Sequence, residues 1–115
     1  MGAPGPIFQV LLFDTETVLG ARVRLESDTL DAFIKKHGEL AEIKVDQLEQ
    51  SLSVPDFVSL DKRDPSVCLY QKLLADTPIG PKMCVVVVKH LNDSGFIVTI
   101  YLTSKIRGGK IIWLR

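Results

Sequence analysis

Residues 83–103, MCVVVVKHLNDSGFIVTIYLT, decide the fold. Four consecutive valines, Val85 to Val88, form a β-branched run that suits a central strand over 83–90, covered on both faces. Asn92-Asp93-Ser94-Gly95 supplies turn chemistry, and 96–103 returns antiparallel to close a hairpin. Side chains alternate along a strand, so Phe96, Val98, Ile100 and Leu102 are expected on one face. Ile97, Thr99, Tyr101 and Thr103 fall on the other. The first set is wholly apolar and is expected to face the core. The second shows a row of three hydroxyls, with Lys105 and Arg107 just beyond it. That row faces water or a ligand, and a solvated face of β-favouring Thr and Tyr is the plainer account.

On either side of this hairpin the pattern stays β. Residues 57–60 read as a short strand, Asp61-Lys62-Arg63-Asp64-Pro65 as a polar turn and 67–74 as a longer strand. Two prolines and a glycine make 76–81 a loop. Arg107-Gly108-Gly109-Lys110 is a turn before a last short strand at 111–114. At the other end, 7–13 and 18–25 read as two strands joined by Asp14-Thr15-Glu16-Thr17.

Two helices follow. Ser27 suits an N-cap, Asp28 and Asp31 complement the helix dipole, and Leu30, Phe33 and Ile34 form one apolar stripe. Lys35 and Lys36 close the last turn, with Gly38 as the C′ residue. The second helix is expected over 40–52, burying Ala41, Val45, Leu48 and Leu52, and Pro55 blocks its continuation. The expected architecture is α+β: two helices in the N-terminal half packed on a mainly antiparallel sheet of four to five strands.

With 115 residues, 46% hydrophobic and 24% charged, the chain suits one globular domain spanning 1–115, with 1–6 as a flexible lead-in rather than a signal peptide. No apolar run approaches the roughly 20 residues that span a bilayer, so a cytoplasmic protein without membrane contact is expected. Cys68 and Cys84 are expected as buried free thiols. Two cysteines and two histidines offer no disulfide framework and no four-ligand zinc site, so no metal is expected.

Net charge is zero but unevenly spread. Residues 82–115 carry six basic side chains against Asp93 alone, a net +5, while 1–81 carry eight against thirteen, a net −5. One positive face would suit a polyanion; edge lysines that block aggregation explain the pattern equally well.

His37 lies four residues after Phe33 and seven after Leu30, on the apolar stripe rather than the solvent face. Such a histidine commonly caps a carbonyl or sits satisfied beside the core. It can also hang into a cleft over the sheet, where imidazole suits proton transfer near neutrality. His90, at a strand end, reads as an ordinary surface residue. One His with Tyr, Thr and Lys or Arg can cleave RNA without metal: a base for the 2′-hydroxyl, an acid for the leaving oxygen, and donors for the charged phosphorane. No G-x-G-x-x-G, Walker, G-x-S-x-G or H-E-x-x-H motif is present, and no cofactor is expected.

The order of parts resembles the phage-associated branch of the barnase–EndoU–colicin–RelE-like (BECR) nucleases. The residues that carry this are His37-Gly38-Glu39-Leu40, Val54-Pro55-Asp56-Phe57-Val58, residues 64–72 (DPSVCLYQK), Val85-Val86-Val87-Val88-Lys89 and the 95–103 strand GFIVTIYLT, and the resemblance spans roughly residues 27–115, most of the chain. The resemblance implies a BECR/RelE-like fold and a metal-independent endoribonuclease of toxin type. RNA would be the substrate, and an antitoxin or immunity protein a partner. It further implies catalytic roles for His37, Thr99, Tyr101 and Lys89, and substrate binding by Thr103, Lys105 and Arg107. A catalytically silent interaction domain of a phage or mobile element is the competing expectation, with Ile111, Ile112 and Trp113 as its apolar patch. Nucleic-acid binding without cleavage ranks last, since 7% aromatic residues offer few stacking platforms.

Overall fold

The computed structural model describes residues 10–115. The expected lead-in at 1–6 and the start of the strand expected over 7–13 lie outside these residues. The first strand described, β1 (Leu11–Glu16), pairs with β2 (Arg22–Glu26). The turn between them is not at Asp14–Thr17 but at 17–21. There Thr17 Oγ1 accepts from the N–H groups of Leu19 and Ala21, both at 3.2 Å, and Gly20 takes φ +86°. Asp14 stays in the strand and pairs with Arg22 at 3.3 Å.

Helix α1 (Ser27–Lys36) begins as expected, but Ser27 is its first residue rather than its cap. The Ser27 hydroxyl instead accepts from Val10 N at 3.1 Å, tying the start of β1 to the helix. His37 closes α1 through its N–H to Phe33 O, and Gly38 opens a 3-10 turn (Gly38–Glu42) instead of capping in the left-handed region. The second helix is shorter than expected. Ile43 adopts extended backbone and turns inward, so α2 runs Val45–Ser53, with Gln47 Oε1 accepting from Lys44 N at 3.0 Å. Leu40, not Ala41, is the buried residue of the preceding turn.

The remaining strands are β3 (Phe57–Leu60), β4 (Val67–Leu74), β5 (Lys82–Leu91), β6 (Ser94–Thr103) and β7 (Ile111–Leu114). All seven join one sheet, ordered β1-β2-β6-β5-β4-β3-β7, where four to five strands were expected. The extra width comes from both ends of the chain. The β1–β2 hairpin joins β6 through a short parallel pairing of β2, and β7 closes the far edge against β3; every other pairing is antiparallel.

One face of the sheet is the core. Leu48 and Leu52 of α2, with Leu40 and Ile43, pack on Tyr70, Cys84, Val86, Val88 and Ile100. Each fully buried Leu or Val contributes about 1.5–3 kcal/mol. Cys68 and Cys84 are both buried and unbridged, and burial pushes the Cys84 thiol up to about 11. A bulge in β6 breaks the expected alternation: Val87 pairs with Thr99 but Val88 with Ile97, leaving Val98 without a partner. Ile97 therefore joins Ile100 in the core, while Phe96 and Val98, both expected inside, are 51% and 47% exposed.

The bulge restores parity before the hydroxyl row. Val85 pairs with Tyr101 and with Gln71, and Val87 with Thr99 and with Leu69, so these side chains share the second face. No helix covers it. Residues 104–110 cross it instead as a strap that carries the chain from β6 to β7.

Candidate functional site

The strap is fastened to the sheet by buried polar groups. Ser59 and Gln71 are both fully buried on the second face. Gln71 Nε2 donates to Arg107 O and to Ser59 Oγ, each at 2.9 Å, and Gln71 Oε1 accepts from Arg107 N at 3.3 Å. Ser59 Oγ also donates to Arg107 O at 3.0 Å, and Gly109 N to Leu60 O at 2.7 Å. Gly108 has φ +84°, and a Cβ there would lie 2.5 Å from Ser59 Oγ and 3.0 Å from Leu60 O. Only glycine allows so close an approach.

Between the strap and the turn after β3 lies an open cleft of about 390 Å³, within the roughly 300–1,000 Å³ usual for ligand pockets. Tyr101 and Leu69 line it from the sheet, Asp61, Lys62 and Arg63 from the turn, and Ile106, Arg107 and Gly108 from the strap. Asp61 Oδ2 accepts from the N–H groups of Arg63 and Asp64, both at 3.0 Å, which orders the turn. Among the described residues, no ion pair engages Lys62, Arg63, Lys105 or Arg107. The cleft is thus cationic at its rim and apolar at Leu69 and Ile106.

The structure brings together some of the expected residues and separates others. The 3-10 turn lies against β6, and the His37 ring meets the Tyr101 ring at 6.1 Å between centroids with a 44° tilt. No hydrogen bond joins the two. Burial raises the pKa of Tyr101; Arg107 draws it back in part and Asp61 adds to the rise. The hydroxyl therefore keeps its proton at neutral pH. Arg107 enters the cleft, steadied by Nε donation to Thr103 Oγ1 at 3.4 Å. Thr103 is buried, and its hydroxyl also accepts from Lys105 N, so it anchors the strap.

Lys89 shares the face of Thr99 but pairs with Phe96, at the opposite end of the strand from Tyr101. Its ammonium is bound to Asp64 at 2.8 Å, holding that carboxyl well below the usual range. It does not line the cleft. Thr99 Oγ1 is buried without a hydrogen-bond partner, and Lys105 sits exposed on the strap outside the cleft.

His90 is not an ordinary surface residue. Its Nε2 lies 2.9 Å from Tyr70 Oη, which is 3.0 Å from Thr17 Oγ1, and burial lowers the His90 pKa. That chain of polar groups ties the β1–β2 turn to the core face. Lys62, Arg63 and Gln71 were not singled out by sequence reasoning. Only the pairing of β3 with β4 and the course of the strap bring Lys62 and Arg63 to the cleft and set Gln71 beneath Arg107. No protein family, curated protein or solved structure matches the chain.

Proposed function

We propose that this chain is a metal-independent endoribonuclease of toxin type, working in the cleft beside Tyr101. The observation that carries the reading is the His37 ring, itself outside the cleft lining, set 6.1 Å from the ring of Tyr101, which lines the cleft with Asp61, Lys62, Arg63 and Arg107. His37 takes the 2′-hydroxyl proton, and the 2′ oxygen attacks the adjacent phosphorus. The 5′ oxygen leaves with a proton from Tyr101, which regains one from the imidazolium, and a 2′,3′-cyclic phosphate remains. Arg107, Arg63 and Lys62 offset the phosphorane charge. RNA is the substrate in this reading, and an antitoxin or immunity protein covering the cleft is the partner, in the cytoplasm. Two helices ahead of the antiparallel β3–β6 meander support a BECR-like fold, although β1 and β2 precede those helices and the seven-stranded sheet is wider than that resemblance implies.

The test is cleavage of a single-stranded RNA in chelator by the wild-type protein and by His37→Ala and Tyr101→Phe. Cyclic-phosphate ends, with a loss of about 10²–10⁴-fold in His37→Ala, are expected. Intact RNA with the wild type, or undiminished cleavage by His37→Ala, refutes the reading.

A second reading, an interaction domain without catalysis, is favoured by edge strand β7, where Ile111, Ile112 and Leu114 are exposed. An extended partner strand could add there. A stable dimer or heteromer in light scattering, with RNA untouched, would establish it.

A further inference from the structure

We propose that Gln71 is a positioning residue that aims Arg107 into the cleft. This inference rests on RNA binding in that cleft. An amide buried at the centre of a sheet is costly unless every polar atom finds a partner. Gln71 meets that condition, and two of its three bonds go to a single residue: Arg107 O receives from Nε2 and Arg107 N donates to Oε1. The side chain pairs with Arg107 as a neighbouring strand would, across a strap that lacks regular structure of its own. Its remaining N–H engages Ser59 Oγ, which donates to the same carbonyl. Residue 107 is thus gripped at its backbone by Gln71 and Ser59 and at its side chain by Thr103.

Such a grip matters to a ligand because an arginine already held in place loses less freedom on meeting a phosphate. The competing account is that Gln71 merely keeps β7 attached to the sheet. The two differ in what happens once the Arg107 side chain is gone. If Gln71 acts through Arg107, removing both costs no more than removing one.

The experiment is a double-mutant cycle on binding of a 2′-O-methyl single-stranded oligonucleotide, which cannot be cleaved. Gln71→Met and Arg107→Ala are each expected to weaken binding about tenfold, the worth of one charged hydrogen bond. Each should also lower the salt dependence by about one phosphate contact. The double variant is expected to bind like Arg107→Ala alone. Losses that multiply to about a hundredfold, or wild-type affinity in Gln71→Met, overturn the inference and leave the RNA reading intact. Absence of binding by the wild type overturns both. Should Gln71→Met fail to fold, Gln71→Glu replaces it. A protonated carboxyl keeps one donor and one acceptor, so its affinity relative to wild type at each pH is expected to recover on acidification, and a deficit that does not change with pH overturns the inference.

Discussion

Among the described residues, three glycines adopt positive φ at nearly equal values, yet only one of them is crowded, and this separates backbone strain from steric contact. Gly20 and Gly80 stand at φ +86° and +89° with nothing within 4 Å of an added Cβ, whereas at Gly108, φ +84°, the Cβ would strike Ser59 Oγ and Leu60 O. In Gly20→Ala or Gly80→Ala the left-handed backbone costs about 1–2 kcal/mol. Lower entropy of the unfolded chain offsets about 0.4–1 kcal/mol, leaving a net loss near 1 kcal/mol. Gly108→Ala carries the same net cost and also displaces Ser59 Oγ from Arg107 O and Gln71. Leaving those buried groups unpaired costs about 1–3 kcal/mol more, so the total is roughly 2–4 kcal/mol. Urea denaturation at unchanged m-value measures the difference directly. RNA affinity should fall in Gly108→Ala and hold in Gly20→Ala, because only the first disturbs the strap. Three alanine variants unfolding within about 0.5 kcal/mol of one another would refute the crowding argument.

Tyr70→Phe should lose about 1–2 kcal/mol of stability in urea denaturation, because Thr17 and His90 each give up a partner; a change below about 0.3 kcal/mol would show the polar chain to be idle. Burial lowers the folded-state pKa of His90 from the ordinary 6.5, so the unfolded chain takes up its proton first. Stability is therefore full above pH 6.5 and falls as the pH drops toward the folded value; thermal unfolding in His90→Gln should show a shallower acid slope. Lys89→Ala removes the ion pair that depresses Asp64. Its stability deficit should be present at neutral pH and shrink as the pH falls through the carboxylate range, and RNA cleavage should be unaltered, because Lys89 lies outside the cleft. A large loss of cleavage in that variant would contradict the assignment of the site.

Local chemistry made much of this fold legible. The valine run, the Asn92–Gly95 turn and the 57–60, 67–74 and 111–114 strands are set by neighbouring residues, and each forms close to where it was expected. What escaped reading depends on distant partners. Residues 96–100 are apolar at both parities except Thr99, so nothing local marks Val98 as the bulged position. Ile43 looks helical by its neighbours, yet its burial draws the backbone out of the helix. The helical stripe and the strand parity placed His37 and Tyr101 as candidates, and the fold sets their rings 6.1 Å apart. Lys89 looked equivalent by parity, but Asp64 occupies it from another element. Lys62 and Arg63 carried no signal beyond a polar turn, because their place at the cleft follows from sheet order alone.

That sheet order also sets the sequence of folding events. Strands β3, β4, β5 and β6 are neighbours in both chain and sheet, joined by short turns, whereas β7 must close on β3 across nearly half the chain. Closing long loops costs entropy before contacts repay it, so β7, like the β1–β2 hairpin on β6, is expected to dock after the meander has formed. Trp113, the chain's single tryptophan, sits half-buried on that strand opposite Val58. In stopped-flow refolding its emission should lag the ellipticity change of the meander; coincident traces would show that the edge forms together with it. The lone indole is in that case a label-free optical gauge of whether the latch behind it has closed.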